Sequence, residues 1–379
     1  MRRMPRLSAI VCTTALLALM GGCSLFGTPK KPPEPLPAPV GTTRIEQAWS
    51  VSIGKVSGVG FAPAVVGTSV WAASREGSVV RLDLATGQSV WRVNTSTPLS
   101  AGVGTDGSTA VVVTRDGELI AFDEAGKQRW SAKVGGEVTN PPAVADGTVL
   151  LRTSDNRVIA WDAQSGQRRW VFSRQNPPLV LRNSGGFAML PGIGFVGMPG
   201  GRLVALSLAN GAPRWDTPLA TPKGANELER IADVVGSPLV IGREVCAVTY
   251  QGRIGCLDVV SGSPIWVKDF SSAAGFDVDN RGLVAPDAED VVHAFDRRGS
   301  PAWQQKGFAR RQLSAPLIFG SLVAVGDLQG NVLWLSRDDG SLRAINATDG
   351  KPIVAPAAAA AGTIVVQTSG GTLVAFRGE

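Results

Sequence analysis

Apolar residues recur along this chain at two fixed places of a unit about forty residues long, seen clearly in Gly117-Glu118-Leu119-Ile120-Ala121-Phe122-Asp123-Glu124-Ala125-Gly126-Lys127-Gln128-Arg129-Trp130. The turn residue that opens each copy is Gly77, Gly117, Asn156, Gly201, Gly252, Asp290, Gly330 or Gly371. Two places later stand Val79, Leu119, Val158, Leu203, Ile254, Val292, Val332 and Leu373, and five places later Leu82, Phe122, Trp161, Leu206, Leu257, Phe295, Leu335 and Phe376. In a strand those two places point to opposite faces. A strand apolar on both faces is one wedged between two neighbouring sheets.

The sixth place is often aspartate (Asp83, Asp123, Asp162, Asp258, Asp296), followed by a turn such as Ala85-Thr86-Gly87 or Gln164-Ser165-Gly166. Aspartate there binds local backbone amides and glycine accepts positive φ, so these carboxylates are read as turn formers rather than catalytic groups. Each copy then reaches a tryptophan: Trp91, Trp130, Trp170, Trp215, Trp266 and Trp303, with Ala344 in the seventh copy. The eighth copy ends at Glu379 before any tryptophan, while Trp49 stands one period ahead of Trp91.

Openings and closings are therefore out of phase by one. A four-stranded propeller blade has this period and these turns. The pattern predicts an all-β fold, an eight-bladed β-propeller of four-stranded blades, closed by an N-terminal strand around Trp49-Ser50-Val51 that completes the last blade. Closure removes two sheet edges that would otherwise invite aggregation.

Ahead of the repeats, Arg2, Arg3 and Arg6 precede the apolar run Leu7 to Met20 and then Gly21-Gly22-Cys23-Ser24. A charged head, a short apolar core and small residues before a cleavage point describe a signal peptide over 1–22, too short for a membrane span. The segment resembles the lipobox of bacterial lipoproteins, with Met20 where leucine is usual; by that resemblance Cys23 becomes the lipidated first residue, and Ser24 beside it fits export to the outer membrane. Ordinary cleavage leaving a free Cys23 thiol is the alternative. Residues 23–44 read as a lipidated Pro-rich tether, with Pro29, Pro32, Pro33, Pro35, Pro37 and Pro39. Extended at about 3.1 Å per residue, it would hold a ring of residues 45–379 up to about 60 Å from the lipid.

Composition narrows the function. Charged residues make up 18% and glycine numbers 46, and loss of Arg2, Arg3 and Arg6 would reduce a formal charge of +6 by three. This is no nucleic-acid footprint. Cys246 and Cys256 lie either side of Gln251 in one hairpin, where a disulfide and two buried thiols are both compatible with directly opposed positions. No metal-ligand spacing is found: Asp277-Val278-Asp279-Asn280 lacks the further ligands of a calcium loop and reads as a turn.

Two connections are long: Trp170 to Phe187 spans seventeen residues and Trp215 to Pro238 twenty-three. Both join an outer strand to the next inner strand, so they share one rim and belong to neighbouring blades. The first reads Asn176-Pro177-Pro178-Leu179-Val180-Leu181-Arg182-Asn183, and the second runs from Gly224 to Asp233. Apolar residues beside arginine in a prolonged loop suit a protein contact; cover for the ring's rim is the plainer reading.

The lipobox, the tether, the DGxLxALDxxTGxxxW-like repeats and the Leu179-Val180-Leu181-Arg182 loop together resemble the BamB family over nearly the whole mature chain. The resemblance implies a non-catalytic scaffold lipoprotein without cofactor, lipid-anchored at the periplasmic face of the outer membrane. It would belong to the β-barrel assembly (Bam) complex, bind the POTRA domains of BamA and assist folding and insertion of β-barrel outer-membrane proteins. Leu179, Leu181, Arg182 and Asp233 would contact BamA, and unfolded outer-membrane proteins are further candidate partners. Val235 stands where the family pattern has a second acidic residue.

The rival reading is a pyrroloquinoline quinone dehydrogenase, built from the same repeats. Its general-base aspartate beside calcium and its adjacent cysteine pair have no counterpart here, and His293 occupies a strand place filled elsewhere by Val80, Ile120 or Ile159. A cytoplasmic WD40 scaffold fits the period but neither the signal segment nor the absent Trp-Asp pairs.

Overall fold

The computed structural model describes residues 31–378 apart from Ser57, Val59, Asn176 and 182–184. Contacts divide the chain into Met1–Pro33 and Glu34–Glu379. Of the first unit only Lys31–Pro33 are described, without helix or strand; the signal segment and Cys23 lie outside the described residues.

The second unit is a ring of eight four-stranded antiparallel sheets. Blade one holds β2 (Ala64–Val66), β3 (Ser69–Ala73), β4 (Ser78–Asp83) and β5 (Ser89–Asn94), and the next six blades repeat this order from Gly104 to Ala347. Blade eight takes β30 (Ala358–Ala360), β31 (Thr363–Gln367) and β32 (Thr372–Gly378) from the end of the chain and β1 (Ile45–Ser52) from its beginning. β1 pairs antiparallel with β32 from Ile45 opposite Gly378 to Ser52 opposite Thr372, with one irregularity between Gln47 and Trp49. The predicted closure is the observed one.

Every residue at the second and fifth repeat places is buried, from Val79 at 0% exposure to Phe295 at 7%. The sixth-place aspartates fold the turn after them: Asp162 accepts the amides of Gln164 and Ser165 at 3.0 and 2.8 Å, and Asp258 those of Val260 and Ser261 at 3.0 and 2.8 Å.

The tryptophans bind each blade to the next. Trp91, on the outer strand of blade one, donates its indole N–H to Glu124 O in blade two at 2.9 Å. Trp130, Trp170, Trp215 and Trp303 make the same bond to Ala163, Leu208, Val259 and Arg337 at 2.9 to 3.1 Å. Trp266 takes the same place over Gly299, though its N–H meets no acceptor among the described residues. Each ring lies against the turn glycine of the next blade, where a Cβ would come within 2.4 to 2.8 Å of it. Glycine is required there by contact and by φ together, as at Gly211 with φ of 74°.

Ala344 now has a physical reason. A tryptophan there would clamp the turn between the third and fourth strands of blade eight, and that turn is the break between Gly378 and Ile45. The seam is held instead by Trp334, packed edge-on against Phe376 and donating to Asn346 Oδ1 at 2.9 Å, while Asn346 Nδ2 donates to Ile45 O at 3.1 Å.

Strand direction alternates within each blade. The turns between second and third strands therefore share one rim with the connections from one blade to the next, and the remaining turns lie on the opposite rim. The last part of the Pro-rich stretch lies on this ring: Glu34 N donates to Ala309 O at 3.0 Å and Val40 N to Leu342 O at 2.7 Å. The ring therefore takes hold of the chain ahead of the Arg44 boundary expected.

Candidate functional site: two joined loops on one rim

The two long connections lead from β13 (Arg168–Phe172) to β14 (Phe187–Leu190) and from β17 (Pro213–Pro218) to β18 (Val234–Ile241). The second is shorter than the spacing to Pro238 predicts. Val234 and Val235 already pair with Thr249 and Val248, and the ladder then skips to Leu239 opposite Cys246. Pro238 has no N–H for a ladder, and Gly236, at φ of 67°, takes up the bulge.

Asp233 ties the loops together. It is 1% exposed, its Oδ2 accepts the Leu181 amide at 2.6 Å and its Oδ1 the Gly200 amide at 2.9 Å. Asp233, expected among the partner contacts, holds its carboxylate inward, beneath the loop. Arg152, also buried, faces it and donates to Gly197 O at 2.6 Å. Burial pulls the Arg152 guanidinium down to about 10, and the Asp233 charge pushes the other way; it remains a cation at neutral pH. The first loop re-enters the ring through Gly185, where a Cβ would lie 2.3 Å from Gly197 O.

The second loop carries its own brace. Asn226 Oδ1 accepts the Glu229 amide at 3.0 Å, and Glu229 returns its carboxylate to Asn226 Nδ2 at 2.8 Å and to the Ala225 amide at 2.7 Å. This is the reciprocal logic of a capping box, and the three-residue spacing of Asn226 and Glu229 is its signal in the sequence. Ala225 to Arg230 are thereby presented as one turn with Leu228 at its crest.

Leu179 is 41% exposed and Leu228 68%. Leu228 belongs beside Leu179 on this rim, which the loop sequence did not single out. Leu181 is half-buried against the cluster of Val235, Cys246, Val248 and Phe276, so it seats the loop as well as edging it. Val235, 4% exposed, is part of that cluster. Arg182 lies outside the described residues.

Cys246 and Cys256 stand directly opposite each other on the second and third strands of blade five and are joined by a disulfide, with Cα atoms 4.0 Å apart. His293 is packed between Phe270 and Phe295 and meets Asp287 Oδ2 at 2.7 Å. Asp279 accepts the amides of Arg281 and Gly282, as a turn residue does, and pairs with Arg337 at 2.7 Å.

Along the axis lies a cavity of about 220 Å³ lined by Ala62, Pro141, Pro142, Phe187, Ser237 and neighbouring small residues. Its described lining holds no carboxylate, imidazole or thiol, and Asn140 supplies its one side-chain amide. Calcium takes six to eight oxygen ligands, carboxylates among them, so a quinone with its calcium does not fit this lining.

Residues 75–305 and 288–379 match the family described as outer membrane protein assembly factor BamB. A protein of that description from Bordetella pertussis is 44% identical over 372 residues, 97% of this chain and 96% of that one. The crystal structure of BamB from Moraxella catarrhalis matches with a TM-score of 0.81 at 25% identity, over 88% of this chain and 100% of that one. The quinohemoprotein alcohol dehydrogenase of Comamonas testosteroni shares the fold, with a TM-score of 0.69 at 16% identity over 88% of this chain and 76% of that one. Matched along most of its length by that family and by a full-length relative, the chain belongs to the family of the outer membrane protein assembly factor BamB.

Proposed function

We propose that this protein is a non-catalytic scaffold of the Bam complex, anchored through a lipid on Cys23 at the periplasmic face of the outer membrane. Its joined loops bind the POTRA domains of BamA and so assist folding and insertion of β-barrel proteins. The observation that carries this reading is the double use of Asp233, which clips Leu181 and Gly200 together and leaves Leu179 outward. An apolar projection preset by a hydrogen bond at Leu181 loses less entropy on binding. In this reading Leu179 and Arg182 touch BamA, Leu181 edges the contact, and Asp233 holds Leu181 in place.

Co-purification from envelope extracts tests it. Leu179→Asp and Arg182→Glu should each abolish recovery of BamA while leaving the urea midpoint of the ring unchanged. Undiminished recovery with both variants would end the reading. The non-catalytic part is tested separately: pyrroloquinoline quinone with calcium should leave the thermal midpoint unmoved, since a ligand of the native state would raise it.

A further inference from the structure

The segment Glu34–Val40 crosses the outside of the ring from one rim to the other. At its start, Glu34 O accepts two bonds from Arg311, from Nε at 3.0 Å and Nη2 at 2.7 Å. Arg311 belongs to the connection into blade seven, on the rim that carries Leu179 and Leu228. At its end, Val40 N binds Leu342 O, where the outer strand of blade seven begins on the opposite rim. Between them Leu36 packs into the cluster of Phe308, Leu313 and Trp303, and Pro37 lies over Gly307. Prolines at 35, 37 and 39 remove every second N–H along this crossing.

The receiving loop is built for this. Arg311 is 7% exposed, and its Nη1 binds Asp327 Oδ2 at 2.7 Å and Gln329 Oε1 at 3.0 Å. Its neighbours Arg310 and Gln312 both hold left-handed backbone, with φ of 64° and 50°. Such a conformation costs energy at non-glycine residues and persists where surroundings enforce it. Asp290 enforces it here, accepting the amides of Gln312 and Leu313 at 2.9 and 2.8 Å.

We infer that Glu34–Val40 is a strap that fixes the ring's attitude to the membrane, by making the anchored end of the chain leave from the rim that bears Leu179 and Leu228. β1 begins at Ile45 on the far rim, so without a strap the anchor would pull from that side. With it, only the eleven residues from Cys23 to Pro33 separate ring and lipid, and whatever their conformation they span at most about 40 Å. The inference rests on the lipid-anchor reading for its physiological setting, and its test does not.

The mature chain with Cys23→Ser and an N-terminal histidine tag is held on phosphatidylcholine vesicles that contain a nickel-chelating lipid and an energy-transfer acceptor on the headgroups. A donor dye is placed at Leu228→Cys, or at Val260→Cys on the opposite rim, positions 68% and 69% exposed. Transfer should be stronger from position 228, and the difference should be lost when Glu34–Val40 is replaced by an equal length of Gly and Ser. A Pro37→Cys, Gly307→Cys disulfide should preserve the difference. Equal transfer from both rims in the unreplaced chain, or a difference that survives the replacement, overturns the strap. Failure of the natural Cys23 chain to float with vesicles would instead sink the anchor reading.

Discussion

Trp49 donates its indole N–H to Leu84 O at 2.9 Å, joining the outer strand of blade eight to the turn of blade one. The first tryptophan of the ring thus makes the same bond that Trp91, Trp130 and their successors make elsewhere. Trp49→Phe should cost about 1 kcal/mol, the scale of one hydrogen bond. Trp49→Ala should cost about 3 to 5 kcal/mol, because the packed ring is lost as well. Urea unfolding measures both, and a cost for the alanine variant no larger than for phenylalanine would show that the ring does not pack across the seam.

Two glycines separate backbone strain from tryptophan contact. Gly67 has φ of 59° and nothing within 4 Å of an added Cβ, whereas Gly211 has φ of 74° and the Trp170 ring at 2.5 Å. Gly67→Ala should cost about 1 kcal/mol, and Gly211→Ala about 2 to 4 kcal/mol, since overpacking is added. Equal urea midpoints for the two variants would contradict the tight seat of the tryptophan.

Acid should weaken the ring through its turns. The Ser165 amide and the Arg169 side chain hold Asp162 well below the carboxylate range, the Thr86 hydroxyl lowers Asp83, and the Ser341 hydroxyl brings Asp339 down to about 2. A carboxylate with a depressed folded value stabilises the fold above its unfolded value of 3.8 and loses that contribution as pH falls through the folded one. Burial raises Asp277, so its contribution runs the other way and grows on acidification. With more groups lowered than raised, the urea midpoint should hold steady near neutrality and fall from about pH 4 toward pH 2. Asp162→Asn should flatten part of that fall.

Asp233 is expected to matter twice. Asp233→Ala removes the negative charge facing buried Arg152 and should cost about 3 kcal/mol. It also frees the amides of Leu181 and Gly200, whose hydrogen exchange should speed about ten-fold for each ~1.4 kcal/mol of lost protection. Slow exchange at both amides in the variant would deny Asp233 its positioning role.

The ring was legible in the sequence because its determinants are periodic. Val79 and Leu82 recur in every blade, and the displaced Trp49 already announced which strand closes the circle. Ala344 was visible as an exception, but its reason needed the register of Ile45 on Gly378, a pairing between the two ends of the chain. The site was legible as length alone. Whether Asp233 faces out or in depends on the Leu181 and Gly200 amides, fifty-two and thirty-three residues away. Prolines predict an extended segment equally well off the ring or on it, so the seat of Leu36 was settled by Arg311, whose partners have no period.

The pairing of β1 with β32 also orders events in time. Ile45 is synthesised before every other strand residue of the ring and Gly378 after them, so the earliest strand waits for the latest before its edge is covered. Until then both edges stand open to other chains. A molecule halted partway through synthesis has no complete circle to form, which makes its folding all or nothing with respect to chain length.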